Sequence, residues 1–209
     1  MGIAFLFKQT AQKLPDKVAI EFEDQRVTFK EIDLQGNKVA NAFQSIGIAK
    51  GDRVAQYMPN CLEIVYSIVG NFKNGSIVVP MNFNFKEQEI QHILNDSGAK
   101  AIITDIERLA AVKKVLPKLL ELKHIILIDG TEANTLNFNE QISKSSDKEP
   151  NVVIKDEDYS IIFYTSGTTG KPKGAALNQI NITSNIKALA QAWKWTEDDI
   201  LFLTLPFYH

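Results

Sequence analysis

Along this chain the period of the apolar positions switches repeatedly between that of a helix and that of a strand. Phe5, Phe7, Ala11 and Leu14 recur at roughly helical intervals until Pro15 interrupts them. Val18, Ile20 and Phe22 then alternate with Ala19, Glu21 and Glu23, the pattern of a strand with one apolar face, and Asp24-Gln25 turns the chain into residues 26–29, so a hairpin is predicted. Thr28 and Glu31 have capping-box spacing, and Ile32, Gly36, Val39 and Phe43 mark the buried face of the helix that follows. Beyond the breakers Gly47, Gly51 and Asp52, residues 53–58 read as a short strand. Asn60 with Glu63 predicts the start of a helix carrying Val65, Ile68, Val69 and Phe72, which ends at Asn74-Gly75. Ile77-Val78-Val79 is an unbroken β-branched run of the kind buried on both faces of a sheet. Asn84 with Glu87 predicts another helix through Ile90, Ile93 and Leu94, closed at Asp96-Ser97-Gly98. A strand at 101–104, a helical stretch to about Leu122 and a strand at 125–128 continue the rhythm.

Strands alternating with helices in this way predict βαβ crossovers, hence an α/β fold with a mainly parallel sheet flanked by helices. Residues 130–158 are different: polar, with Ser143-Lys144-Ser145-Ser146-Asp147-Lys148, and predicted as a surface excursion around a short helix at 138–142. Order resumes at Ser160 with the apolar strand Ile161-Ile162-Phe163, which runs straight into a glycine-rich stretch. Ala175-Ala176-Leu177 could return as a strand, making that stretch a hairpin tip. A helix over 179–194 is expected next, with Ile182, Ile186, Leu189 and Trp193 on one face and Trp193 and Trp195 closing it against the core. The last expected element is a strand at 200–203. The chain then closes on Phe207-Tyr208-His209; a terminus on an apolar strand and an aromatic pair is unlike the usual polar end, so a fragment is expected.

Composition narrows the function classes. The formal charge is −2, with no basic stripe interleaved with aromatics, which argues against a nucleic-acid partner. Cys61 is the single cysteine, so no intramolecular disulfide can form and a reducing, cytoplasmic location is expected. It begins an apolar helix with no base beside it, which favours a core role over a nucleophile. No apolar run reaches membrane-spanning length, which leaves contact with membrane surfaces open. His92 and His124 lack partners at metal-ligand spacing and read as a helix-surface and a strand-entry residue. The acidic triplet Asp156-Glu157-Asp158 reads as a solvated turn.

The chemistry concentrates in Tyr164-Thr165-Ser166-Gly167-Thr168-Thr169-Gly170-Lys171-Pro172-Lys173-Gly174, with three glycines, four Ser or Thr hydroxyls and two lysines. A backbone that folds closely around a polyphosphate needs small residues, hydroxyl donors and nearby cations. A P-loop fits poorly: with Gly170-Lys171 aligned on its Gly-Lys, Thr165 stands where the first glycine belongs and Pro172 where the magnesium-binding hydroxyl belongs. Pro172 also biases Lys171 away from helical conformation. No GxGxxG fingerprint is present.

The stretch instead resembles the signature of the adenylate-forming (AMP-binding) superfamily of acyl-CoA synthetases, peptide-synthetase adenylation domains and luciferases, with every position from Tyr164 to Gly174 agreeing and Lys171 at the variable one. Arg26-Val27-Thr28-Phe29-Lys30-Glu31-Ile32 is similar to the family's LTYxEL stretch, Gly51-Asp52-Arg53-Val54 to GDRVA, the segment Gly75-Ser76-Ile77-Val78-Val79-Pro80-Met81-Asn82 to GAxxVPLN, and Leu94-Asn95-Asp96-Ser97-Gly98-Ala99-Lys100 to LxDSGAK. Asn82-Phe83 and the closing Pro206-Phe207-Tyr208-His209 resemble the acyl-CoA synthetases, long-chain fatty-acid ligases among them, more than peptide-synthetase domains. After the loop, Leu177-Asn178-Gln179 departs from the family's Leu-Thr-His.

The resemblance implies that 1–209 is the N-terminal part of an adenylation domain, an incomplete N-terminal subdomain of the acyl-CoA-synthetase fold. The family's magnesium-binding glutamate, ribose-binding aspartate, hinge and C-terminal lid domain with its lysine would lie beyond it. The implied reaction activates a carboxylic acid, a fatty acid by this resemblance, with ATP and magnesium, and passes the acyl group to coenzyme A. A noncatalytic nucleotide-binding fragment, or an adenylation enzyme of peptide-synthetase or aryl-CoA ligase type, is the alternative. Backbone N–H groups of Ser166, Gly167, Thr168, Thr169 and Gly170, with the hydroxyls of Thr165, Ser166, Thr168 and Thr169, would grip the β- and γ-phosphates. Lys173 would add charge, while Lys171 reads as a solvated lysine in preference to a phosphate ligand; Pro172 would stiffen the exit to Gly174, Thr168 would approach the metal, and His209 would border the acyl and adenylate pockets or else finish an aromatic–histidine cluster on a core strand. The full-length enzyme is expected to be able to form a homodimer.

Overall fold

The structure, a computed structural model, describes residues 2–165 and 171–208. Helix α1 (Ile3–Lys13) precedes the antiparallel hairpin β1 (Val18–Phe22) and β2 (Gln25–Thr28). The capping box opens α2 (Phe29–Ser45): Glu31 N–H donates to Thr28 Oγ1 at 3.2 Å and Thr28 N–H to Glu31 Oε2 at 2.7 Å. Then come β3 (Arg53–Tyr57), α3 (Leu62–Asn74), β4 (Ile77–Pro80), α4 (Glu87–Ser97), β5 (Ala99–Thr104) and α5 (Ile106–Val115). After a 3-10 turn (Leu116–Lys118) follow β6 (His124–Leu127), β7 (Leu136–Asn137), α6 (Phe138–Ser143), β8 (Tyr159–Thr165), β9 (Lys173–Asn178) and α7 (Gln179–Ala192).

The large sheet has the order β7-β6-β5-β3-β4-β8-β9, parallel throughout except that β9 runs antiparallel to β8. From β3 the chain moves one way to β4 and then crosses back to β5 on the other side. Right-handed crossovers in opposite directions put their helices on opposite faces. One face accordingly packs Ile90, Ile93 and Leu94 of α4 and Leu109 and Val112 of α5 against Ala55, Val79 and Ile102. The other packs Val39 and Phe43 of α2, Ile64 of α3 and Phe138 of α6 against Val54, Ala101 and Ile103. Central strands covered on both sides favour apolar residues on both faces, which is why Val54-Ala55, Ile77-Val78-Val79 and Ala101-Ile102-Ile103 read as runs rather than alternations.

Two close approaches fix the helices. A Cβ on Gly36 of α2 would stand 2.4 Å from Val69 Cγ1 of α3, and one on Gly70 of α3 would stand 2.4 Å from Val39 Cγ1 of α2. Each helix thus offers a bare patch of backbone to a valine of the other, and the buried pair Lys73–Asp33 at 2.8 Å ties the same interface. At the other end of the sheet Arg53 caps α4: its Nε donates to Ser97 O at 2.5 Å and its Nη2 to Gly98 O at 2.7 Å. Gly98 has a left-handed φ of 60°, and a Cβ there would meet Arg53 Nη2 at 2.3 Å.

Several expectations change. Asn60 does not cap α3, which begins at Leu62 after Cys61; its amide is engaged with the C-terminal segment instead. Asn84 lies ahead of α4, whose first turn is closed by Lys86 N–H donating to Glu89 Oε2 at 3.1 Å, while Asn84 N–H turns back onto Asn82 Oδ1 at 2.9 Å. The helical stretch expected to reach Leu122 stops at Val115, because Pro117 lacks the N–H to continue it and tightens the chain into the 3-10 turn. Within 130–158, β7 adds an edge strand to β6, and Asn37 and Asn41 of α2 each donate at 2.8 Å to carbonyls of Asp147, Ser146 and Lys148.

Residues 200–203 form no strand: Ile200 is 96% exposed, and no described strand lies alongside to accept its hydrogen bonds. Trp193 and Trp195 do not close α7 on the core either. They are exposed and pack on each other at 5.1 Å, since α7 is anchored through its first turns, where Gln179 and Thr183 are buried and Gln179 Oε1 accepts from Ile3 N–H at 2.9 Å.

Replacing Gly70 with Ala should lower stability by about 1–3 kcal/mol, the usual cost of overpacking, although alanine gains roughly 1 kcal/mol in helix propensity. Urea unfolding checks this: a midpoint equal to or above that of the unchanged protein would show that α2 and α3 have room to part.

Candidate functional site

In an open α/β sheet, ligands meet the chain at the C-terminal ends of the strands, near the point where successive connections diverge. Two segments converge on that edge here. The first is the β8–β9 hairpin, whose register pairs Phe163 with Ala175, Tyr164 with Gly174 and Thr165 with Lys173. The two flanks of the glycine-rich stretch, Tyr164-Thr165 and Lys173-Gly174, are therefore paired across the hairpin, as the sequence suggested. Ser166, Gly167, Thr168, Thr169 and Gly170 lie outside the described residues, so their expected phosphate contacts, and that of Thr168 with a metal, are not described. Of the flanking positions, Thr165, Lys171, Lys173 and Gly174 are exposed and Pro172 is half-buried.

Gly174 has a packing reason to be glycine. A Cβ there would sit 2.9 Å from Ile162 Cγ2 and 3.1 Å from Tyr164 Cζ, so the Tyr164 ring lies across the strand opposite it. The Tyr164 hydroxyl donates to Asp96 Oδ2 at 2.7 Å, and its ring meets His92 edge-on at 6.3 Å. Burial, reinforced by the Asp96 carboxylate, pushes the phenol well above its ordinary range, so it stays a donor. His92 Nε2 lies 2.7 Å from the Pro172 carbonyl oxygen. A carbonyl only accepts, so Nε2 carries the proton. His92 was expected as a plain helix-surface residue; it braces the exit of the loop. The available signal was the spacing of His92 and Asp96, one helical turn apart on the same face of α4.

The second segment is 205–208. Asn60 Oδ1 accepts from Phe207 N–H at 2.9 Å, and its Nδ2 donates to Leu205 O at 3.1 Å. Phe207 joins the apolar cluster of Met58 and Ile64, and Tyr208 stands edge-on to Phe83 at 5.6 Å, a ring that also lies under the Arg108 guanidinium. With Gln56, Pro80 and Met81 the two aromatics line a shallow depression at the ends of β3 and β4. His209 follows but lies outside the described residues. Its role at the site is therefore not described.

Other candidates resolve into structure. Burial pushes the Cys61 thiol up to about 12, so it is not a nucleophile at neutral pH. Asp158 accepts from Lys155 N–H at 2.6 Å and pairs with Lys50 at 2.5 Å, making the acidic triplet a fixed turn. Among the described residues no group of three His, Cys, Asp or Glu side chains is placed to hold a metal, and no helix is long and apolar enough to cross a membrane.

Comparison with known proteins bears on this site. The profile of the family described as AMP-binding enzyme matches residues 7–209. The chain is 32% identical over 190 residues to the long-chain-fatty-acid–CoA ligase FadD13 of Mycobacterium tuberculosis, covering 89% of this chain and 36% of that protein. It is also 32% identical over 185 residues to surfactin synthase subunit 3 of Bacillus subtilis, covering 88% of this chain and 14% of that one. The structure superposes with a TM-score of 0.91 on a long-chain-fatty-acid–CoA ligase, FadD1, of Archaeoglobus fulgidus, at 29% identity, covering all of this chain and 43% of that one. The chain thus spans about a third of the length of its FadD13 relative.

Two outcomes test the site's packing. Gly174→Ala should displace the Tyr164 ring and cost about 1–3 kcal/mol in urea unfolding; no change would mean that the ring does not bear on the strand. Cys61 in the native protein should resist alkylation at pH 8 and react fully in denaturant, and rapid native labelling would contradict its raised pKa.

Proposed function

Because the chain belongs to the AMP-binding enzyme family, we propose that it carries the phosphate-binding part of an AMP-forming acid–thiol ligase, one that activates a carboxylic acid, in our reading a fatty acid, and transfers it to coenzyme A. The observation that carries this reading is the stretch from Tyr164 to Gly174, mounted on the β8–β9 hairpin at the C-terminal edge of the sheet. The reaction joins a carboxylate oxygen to the α-phosphorus of ATP and releases pyrophosphate; the coenzyme A thiol then attacks the acyl carbon and releases AMP. A carboxylate approaching a polyphosphate needs that charge neutralised and the phosphates held in line.

In this proposal the backbone N–H groups of 166–170 and the hydroxyls of Thr165, Ser166, Thr168 and Thr169 hold the β- and γ-phosphates. Lys173 supplies positive charge at the exit, and Lys171 remains largely in solvent. Magnesium would arrive with ATP and neutralise the polyphosphate further, with the Thr168 hydroxyl as this chain's ligand to it. His209, next to the Phe207–Tyr208 platform, borders the acid and adenylate side. The second reading, an amino-acid-activating domain, is favoured by the equal identity to the surfactin synthase subunit.

ATP–pyrophosphate exchange in the full-length protein, driven by a panel of fatty, aromatic and amino acids, tests these readings. Exchange driven by fatty acids with acyl-CoA formed supports the first, and exchange driven by an amino acid alone supports the second. The 209 residues by themselves should form no acyl-CoA. Lys173→Ala in the full-length protein should slow exchange by about tenfold or more, the scale of removing one electrostatic contact to the transition state; an unchanged rate would remove Lys173 from the phosphate site.

A further inference from the structure

The described cluster closest to the loop is one that loop chemistry alone does not require. β9 is an edge strand with Gly174, Ala175 and Ala176 exposed, and among the described residues β8 is its single strand partner. A glycine-rich tip on such a hairpin would be costly to hold in one shape. Helix α4, on another element of the fold, reaches both stems. On the entry side Asp96 accepts the Tyr164 hydroxyl; on the exit side His92 Nε2–H donates to the carbonyl of Pro172. Proline fixes its own φ at about −65°, and a hydrogen bond to its carbonyl fixes the orientation of the following peptide plane, hence ψ. Both backbone angles of the residue before Lys173 are thereby set.

We propose that His92 and Asp96 are positioning residues that hold the two stems of the loop from α4 and so aim Lys173, with the Pro172 carbonyl as the point of control. The inference rests on the reading of the loop as a phosphate site. The side-chain requirements are specific: position 92 must offer an N–H donor, and position 96 an acceptor for the phenol. Both residues bond the stems of the loop, so in this proposal they act on the affinity for phosphate rather than on the acid.

The test uses the full-length protein and four variants, with pyrophosphate and ATP as probes. His92→Phe keeps the ring against Tyr164 and removes the donor; His92→Gln restores a donor where Nε2 stood. Asp96→Ala removes the acceptor and Asp96→Asn keeps one. Dissociation constants for pyrophosphate and ATP should rise about fivefold to tenfold in His92→Phe and Asp96→Ala, the scale of one lost hydrogen bond, and return most of the way in His92→Gln and Asp96→Asn. The KM for the acid should not move. Amide hydrogen exchange over 171–176 should be faster in His92→Phe while the rest of the sheet exchanges as before. If the unchanged protein binds pyrophosphate and His92→Phe binds it equally well, the positioning role is overturned and the proposed function stands. His92→Gln as weak as His92→Phe would overturn the assignment of the donor. If the unchanged protein binds neither probe, the phosphate reading fails and takes this inference with it.

Discussion

Burial of β3, β4 and β5 between two helical layers is the constraint from which the rest follows. A strand covered on both faces leaves little room for polar side chains along its length, and those present, Gln56 of β3 and Thr104 of β5, spend their hydrogen bonds inside the fold, on Ser67 and the Tyr57 carbonyl. Polar function is pushed to the strand ends. Because the chain leaves β3 one way and returns to β5 the other, the loops beyond those ends diverge and leave a crevice between them. The β8–β9 hairpin and the Phe207–Tyr208 platform both stand on that edge, and the platform's Asn60 hydrogen bonds tie the chain's last described residues to the loop after β3.

The two helical layers are held by different means. On one face α2 and α3 approach through glycine-on-valine contacts in both directions, which trade helix propensity at Gly36 and Gly70 for a short interhelical distance. On the other face α4 and α5 pack with larger aliphatic residues, and the hold on α4 is polar, through Arg53 at the carbonyls of Ser97 and Gly98.

Much of this was legible in the sequence because it is local. The capping box of α2, the left-handed glycines after α3 and α4, the β-branched strand cores and the glycine-rich stretch each declare themselves within a few residues. What was not legible depends on partners far along the chain. Asn60 looks like a helix cap until Leu205 and Phe207 compete for its amide. The apolar run at 200–203 has strand composition, but a strand exists only where an edge receives it. The spacing of His92 and Asp96 hints at a shared face of α4, but the partner of His92, the Pro172 carbonyl, is a backbone atom on a distant element that the spacing does not name. Chemistry at 166–170 was inferred from resemblance, since small and hydroxylated residues suit many turns and only the run of agreement through Gly174 singles one out.

The Arg53 cap has a mechanical consequence. It fixes the tail of α4 to the beginning of β3, while Asp96, beside that cap, and His92, one turn earlier in the same helix, bond the stems of the hairpin. Helix α4 thereby links β3, the middle strand of the sheet, to both stems of the exposed hairpin. A change at Arg53 would therefore bear on the hairpin by a second route, through α4, besides the one through the sheet.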